Sequence, residues 1–110
     1  VLVCGSREWR RVEPIRERLR ALPRGTVVLH GGARGADRIA GVIAAGLGFE
    51  VREYPADWKR LGRSAGVRRS AAMLDERPDL VLAFWQDYSS GTGYTLALAE
   101  RKGIPVEVIR

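Results

Sequence analysis

The chain has 110 residues, 45% of them hydrophobic and 29% charged, with a formal net charge of +6. That length suits one domain with a real core, the composition is that of a globular protein, and no apolar run approaches the roughly 18 residues of a membrane span. One cysteine, Cys4, and one histidine, His30, exclude a disulfide framework, a cysteine zinc site, a His triad and a His-rich metal site.

In chain order, Val1-Leu-Val-Cys4 is short and apolar and ends at Gly5-Ser6-Arg7, which predicts a buried strand. Val12, Ile15, Leu19 and Leu22 fall at helical spacing, with Pro14 near the start where proline is tolerated. Thr26 to Leu29 predicts a second buried strand, followed by the bare segment LHGGARGAD. Ala36, Ile39, Ala40, Ile43 and Leu47 mark one face of a second helix, with Gly48 as its C-terminal cap. Glu50 to Tyr54 reads as a more polar strand nearer an edge, and Pro55 to Gly62 as a loop containing Trp58. Arg63 to about Glu76 predicts a third helix. Leu80 to Phe84 is the most apolar strand and is expected to be central. Gln86 to Gly93 is expected to be a polar loop, Thr95 to Lys102 the last helix, and Pro105 to Ile109 a fifth strand.

Strict alternation of short apolar strands with helices predicts an α/β domain over 1–110: Rossmann-like, doubly wound, about five parallel strands with helices on both faces. Ligands of such sheets bind beyond the carboxyl ends of the strands. The residues there are glycine, hydroxyl, aromatic and arginine, whereas the opposite turns, such as Pro23-Arg24-Gly25 and Arg77-Pro78-Asp79, are plain. Two glycine loops precede helices, where unpaired N–H groups and the helix dipole favour an anion. They are Gly31, Gly32 and Gly35 before the second helix, and Ser90-Gly91-Thr92-Gly93 before the last. Glycines could equally make tight turns there; both loops together, with arginines nearby, favour an anion site. Neither G-x-G-x-x-G nor a P-loop is present.

The cations are nearly all arginine, with Lys59 and Lys102 the only lysines. Arginine suits two-pronged contact with phosphate, but an arginine-rich composition can also reflect genome or habitat. The cations are scattered, so the charge permits nucleic-acid binding without arguing strongly for it. Arg69 shares a helix face with Ala65, Ala72 and Met73 and either snorkels to the surface or enters a pocket. Asp37 at a helix start reads as a cap or dipole partner, Cys4 as a small core residue. Of Trp9, Trp58 and Trp85, core packing accounts for one or two and a base-stacking wall for one. No carboxylate pair stands out as an acid/base couple.

The segments VCGSREW, LHGGARGADRIA, YPADW, GVRRSAAML and SSGTGYT occur in this order and resemble the YspA-like (cpYpsA-related) branch of the SLOG superfamily of bacteria and phages over essentially the whole chain. The resemblance implies a Rossmann-like fold with a nucleotide or nucleotide-derived ligand at the ends of the first, second and fourth strands. It also points Arg69 into the pocket, since the family's R-N-x-x-M segment aligns with Arg69-Ser70-Ala71-Ala72-Met73. Val67 and Ser70 stand where the family often has Pro and Asn. The related Lonely Guy phosphoribohydrolases carry P-G-G-x-G-T-x-x-E, and the position of their catalytic glutamate is Thr95 here, which cannot act as a carboxylate base.

The expected function is therefore binding of a nucleotide or phosphoribosyl ligand, as a sensor or accessory module. Ser6 and Arg7, beside Gly5, would meet phosphate or ribose; Gly31, Gly32 and Gly35 would line a cradle with Arg34 at its rim and Asp37 beside it. Arg69 would pair with an anionic group, and Ser90, Gly91 and Thr92 would hold phosphate. Two alternatives stay open: N-glycosidic hydrolysis by another carboxylate, with Glu8, Asp37 or Asp87 as candidates, and single-stranded DNA binding as in the DNA-uptake branch of the superfamily. No resident cofactor, metal or membrane partner is expected, and a homo-oligomer remains open. A cytoplasmic location is expected from the cysteine usage and the lack of a leader, and a trimmed start from the missing methionine.

Overall fold

The computed structural model describes residues 1–86 and 90–110, apart from the side chains of Arg63 and Ser90. Five parallel strands, β1 (Leu2–Gly5), β2 (Val27–His30), β3 (Glu50–Glu53), β4 (Val81–Phe84) and β5 (Val106–Ile109), form one sheet in the order β3-β2-β1-β4-β5. The helices are α1 (Val12–Arg20), α2 (Ala36–Gly46), the short α3 (Trp58–Leu61), α4 (Ala65–Asp75) and α5 (Ser90–Arg101), with a 3-10 turn at Gly62–Ser64. This is the doubly wound Rossmann-like architecture the alternating pattern predicts.

The pleat of the strands divides the core in two, since successive side chains point to opposite faces. Val3, Leu82 and Phe84 face α1 and α2, where they pack with Trp9, Ile15, Leu19, Ala40 and Ala44. Leu2, Cys4, Val81 and Ala83 face α4 and α5, where they pack with Met73, Leu74, Leu96 and Ala99. Strands buried on both faces must read as continuous apolar runs, and β4 is buried at all four positions. β4 is interior, but β1 holds the centre. β3, with two glutamates and an arginine in four residues, is an edge strand, as its polarity suggests.

The chain runs outward from β1 through β2 to β3, then returns to the other side of β1 as β4. The connections leaving β1 and β4 therefore diverge to opposite faces and leave a crevice at their carboxyl ends.

Three expectations are corrected. Trp58–Leu61 is a helical turn rather than loop: Oδ1 of Asp57, its N-cap, accepts the N–H of Arg60 at 3.2 Å. The following helix starts at Ala65 instead of Arg63, after the 3-10 turn. The last helix starts at Ser90, five residues before the predicted Thr95, so the Ser-Gly-Thr segment is its first turn rather than a preceding loop. Glycine has low intrinsic helix propensity, and packing of Leu96 and Ala99 against the sheet overrides that preference.

Candidate functional site

A cleft of about 700 Å³ occupies the crevice between the ends of β1 and β4. One wall is the end of β1, Gly5-Ser6-Arg7; a second is the first turns of α5, from Gly91 to Thr95; a third is α4, through Arg69 and Ser70. Cys4 lies at its floor, a small core residue whose thiol burial pushes up, which keeps it protonated and unreactive. Of the three tryptophans, Trp9 is buried and edge-on to Phe84, with its indole N–H donating to the Arg11 carbonyl at 2.7 Å. Trp85 packs against the α4–α5 side of the core. Trp58 alone of the three is exposed, at 51%, and it borders the cleft.

Ser6 ties the walls together. Its N–H donates to the Phe84 carbonyl at 2.9 Å, its Oγ accepts the Gln86 N–H at 3.0 Å, and its carbonyl accepts the N–H groups of Trp9 and Ala36, each at 3.2 Å. One buried residue thus fixes the ends of β1 and β4 and the start of α2 against each other. Gly35 is needed for the same junction: its φ is +84°, and a Cβ there would collide with the carbonyls of Ser6 and Arg7.

The segment after β2 is built differently from expectation. Asp37 does not cap its helix; Gly35 is the N-cap, and Asp37 sits in the first turn. Its Oδ2 reaches back to accept the N–H groups of Gly31 at 2.9 Å and Ala33 at 3.4 Å. The Gly32 N–H donates to Nδ1 of His30 at 3.0 Å. Two of the amides expected to face an anion, those of Gly31 and Gly32, are therefore turned inward, and that of Ala33 with them. Burial raises the pKa of Asp37, against the opposing pull of the Gly31 N–H and the Arg69 charge.

Arg69 enters the site, as the resemblance implies, and does not snorkel. Its Nη1 donates to the Gly31 carbonyl at 2.7 Å. Its Nε is buried without a partner among the described residues. A buried donor left unsatisfied costs about 1–3 kcal/mol, more when charged. Gly31 makes room for this arginine: a Cβ would lie 2.8 Å from Cζ of Arg69.

Two of the positions singled out in the sequence, Ser70 and Thr95, meet. Ser70 Oγ and Thr95 Oγ1 lie 3.0 Å apart, both buried, and Thr95 also donates to the Gly91 carbonyl at 3.1 Å. A hydroxyl pair thus joins α4 to α5 beneath the cleft.

The cleft gathers Gly5, Ser6, Arg7, Asp37, Arg69, Gly91 and Thr92. Gly31, Gly32 and Arg34 line a second cleft of about 420 Å³, on the β3 side of Arg69. Gly35 is packed against the β1 loop, away from the main cavity. Arg34 is exposed at the rim, 2.6 Å from Glu8. Asp87 lies outside the described residues, as does the side chain of Ser90. Reading the sequence missed Arg38 and Glu53, both in the second cleft. Arg38 stands one residue past the glycine motif, a spacing that could have suggested it.

A five-stranded parallel sheet with a cleft at its switch point defines a Rossmann-like domain. Within that class the chain belongs to the YAcAr family, the YspA, cpYpsA-related SLOG family, whose model matches residues 1–61. It is 41% identical over 115 residues to the Gene 61 protein of Mycobacterium phage D29, covering 96% of this chain and 92% of that protein. Its fold is similar to that of DNA processing protein A from Streptococcus pneumoniae, with a TM-score of 0.78 at 18% identity; the match covers 99% of this chain and 50% of that one. The chain thus spans half the length of that solved chain, and the likeness is one of fold. Among the described residues no helix is long and apolar enough to cross a membrane.

Proposed function

We propose that this chain binds a nucleotide or phosphoribosyl compound in the cleft between β1 and β4, as a sensor or accessory module inside the cell. The observation that carries the reading is Arg69: a half-buried arginine on the wall of a cleft, its Nε buried and unpartnered among the described residues. Opposite it the positive end of the α5 dipole, at Gly91 and Thr92, favours a phosphate. Arg7 adds a second cation at the mouth, and the exposed Trp58 offers a face on which a base can stack. A volume of about 700 Å³ suits a ligand of this size.

Binding is favoured over hydrolysis by the chemistry of the floor. Thr95 is tied to Ser70 and to the Gly91 carbonyl, and a hydroxyl there is no general base at neutral pH. Asp37 faces the cleft but is occupied by two backbone N–H groups, and Glu8 is exposed and paired with Arg34. Calorimetry against nucleoside monophosphates, ADP-ribose and cyclic nucleotides tests the proposal. Binding by at least one, weakened by Arg7→Ala and by Arg69→Ala, is the expected result; no binding below about 1 mM sinks it. Chromatography after long incubation is expected to release no free base, and release would establish the hydrolytic alternative.

Single-stranded DNA binding is the second reading. The net charge of +6, the exposed Trp58 and the fold likeness to a DNA processing protein favour it. Gel shifts with a short oligonucleotide decide, because a phosphate-driven complex must weaken as salt rises.

A further inference from the structure

We infer that the ligand carries two separated phosphoryl groups, one in each of two clefts that meet at Arg69; the inference rests on the nucleotide reading above. The second cleft, of about 420 Å³, shares Arg7, Ala33, Trp58 and Arg69 with the first. The two are therefore adjoining compartments with a common wall of one tryptophan and two arginines.

Their charges differ. Among the described residues the larger cleft sets Arg7 and Arg69 against two carboxylates, Glu8 and Asp37. The smaller sets four arginines, Arg7, Arg34, Arg38 and Arg69, against the single carboxylate of Glu53. A ligand confined to the larger cleft would leave the more positive compartment uncompensated. Like charges crowded around a concave surface raise its potential and draw in an anion.

The backbone of the smaller cleft cannot serve that anion, because the N–H groups of Gly31 and Gly32 are committed to Asp37 and His30. The guanidinium groups must do so, and their planar forks suit phosphate. Arg38 is held to the Gly32 carbonyl through Nε at 3.1 Å, which leaves its Nη edge to turn toward a ligand. Arg34 is held by Glu8 in an exposed pair of the kind that exchanges readily for a stronger anion. Trp58 stands between the compartments, half exposed, where the base of a nucleoside whose sugar carries the two phosphoryl groups could stack.

The test is calorimetry with three probes: AMP, adenosine 3′,5′-bisphosphate and the 5′-phosphorylated dinucleotide pApA. At least one two-phosphate probe is expected to bind about tenfold tighter than AMP, the gain of one further charge-assisted contact. Arg38→Ala, and independently Arg34→Ala, should bring the ratio of the two affinities toward one. Arg24→Ala, which removes a cation at the opposite end of the sheet, should leave the ratio unchanged. If AMP binds and neither two-phosphate probe gains, the inference falls while the nucleotide reading stands. A ratio insensitive to Arg38 and Arg34, or lowered equally by Arg24→Ala, also overturns it, because net charge would then explain the gain. Binding of none of the three probes overturns the inference, and the nucleotide reading falls with it when the wider panel of nucleoside monophosphates, ADP-ribose and cyclic nucleotides also fails to bind.

Discussion

Gly35 and Gly91 each stand at the start of a helix at the carboxyl end of the sheet. A Cβ on Gly35 would run into the carbonyls of Ser6 and Arg7, while a Cβ on Gly91 would meet no atom within 4 Å. Gly35 also has a left-handed φ of +84°. The first glycine is demanded by the fold; the second has no demand from packing. The difference extends along both segments. After β2, the N–H groups of Gly31, Gly32 and Ala33 serve Asp37 and His30. At α5, the first turn opens on the cleft, with Gly91 and Thr92 in its wall. Two glycine segments that look interchangeable as phosphate cradles thus divide the work: one builds the wall and anchors Arg69 of α4 through the Gly31 carbonyl, the other faces the cleft.

The largest expected effect is on the built side. Gly35→Ala should lower stability by on the order of 3 kcal/mol, combining left-handed strain with a backbone clash, read as a shift of the urea midpoint at unchanged slope. A loss under about 0.5 kcal/mol, the range of ordinary surface substitutions, would show that the junction relaxes and that the two glycines are alike after all.

Asp37→Ala comes next, at about 2 kcal/mol, because it strips the acceptor from the Gly31 and Ala33 N–H groups in a buried place. Asp37→Asn keeps an acceptor and separates the hydrogen bonds from the charge. Burial raises the folded-state pKa of Asp37 above the ordinary 3.8, so the folded protein holds that proton more tightly than the unfolded chain does. The contribution of this group to stability is then greatest below the ordinary value and declines as pH rises through the raised one. Asp37→Asn should abolish that component of the slope. Urea melts from pH 3.5 upward measure it; an unchanged slope would mean that Asp37 ionises without cost.

Much of this was legible in the sequence. Alternating apolar runs and helical faces led to the parallel sheet, because strands buried on both sides have little choice of residue; β4 is the clearest case. The concentration of glycine, hydroxyl and arginine at one end located the cleft, and the family motif pointed Arg69 into it. The division between the loops was not legible. Whether an amide faces a ligand or a carboxylate depends on where Asp37 turns, and a residue in the first helical turn can point either way. The start of α5 was missed because Gly91 and Gly93 weaken local helix preference, which only contact with the sheet overcomes. The pairing of Ser70 with Thr95 joins residues 25 apart in sequence, and no local pattern announces it.

Gly91→Ala should reverse the sign seen at Gly35. With open space around it and a helical backbone, alanine is expected to stabilise the protein by about 0.5–1 kcal/mol, seen as a higher urea midpoint. The same methyl group enters the ligand space, so affinity for whichever nucleotide binds the wild type should fall. Stabilisation without any loss of affinity would place the phosphate away from the start of α5.

The smallest effect is expected where the two sides touch at the rim. Glu8, beyond β1, pairs with Arg34 of the β2 loop at 2.6 Å, with 57% and 66% of their side chains exposed. Water and salt screen such a pair, so Glu8→Ala should change stability by less than about 0.5 kcal/mol. Its effect on binding should be the more visible one. Removing Glu8 deletes a carboxylate from the cleft and releases Arg34, and both changes favour an anion, so nucleotide affinity should rise and its salt dependence should steepen. A fall in affinity would mean that Glu8 itself meets the ligand, for instance through a ribose hydroxyl, and that the β1 loop contributes more than the cation of Arg7.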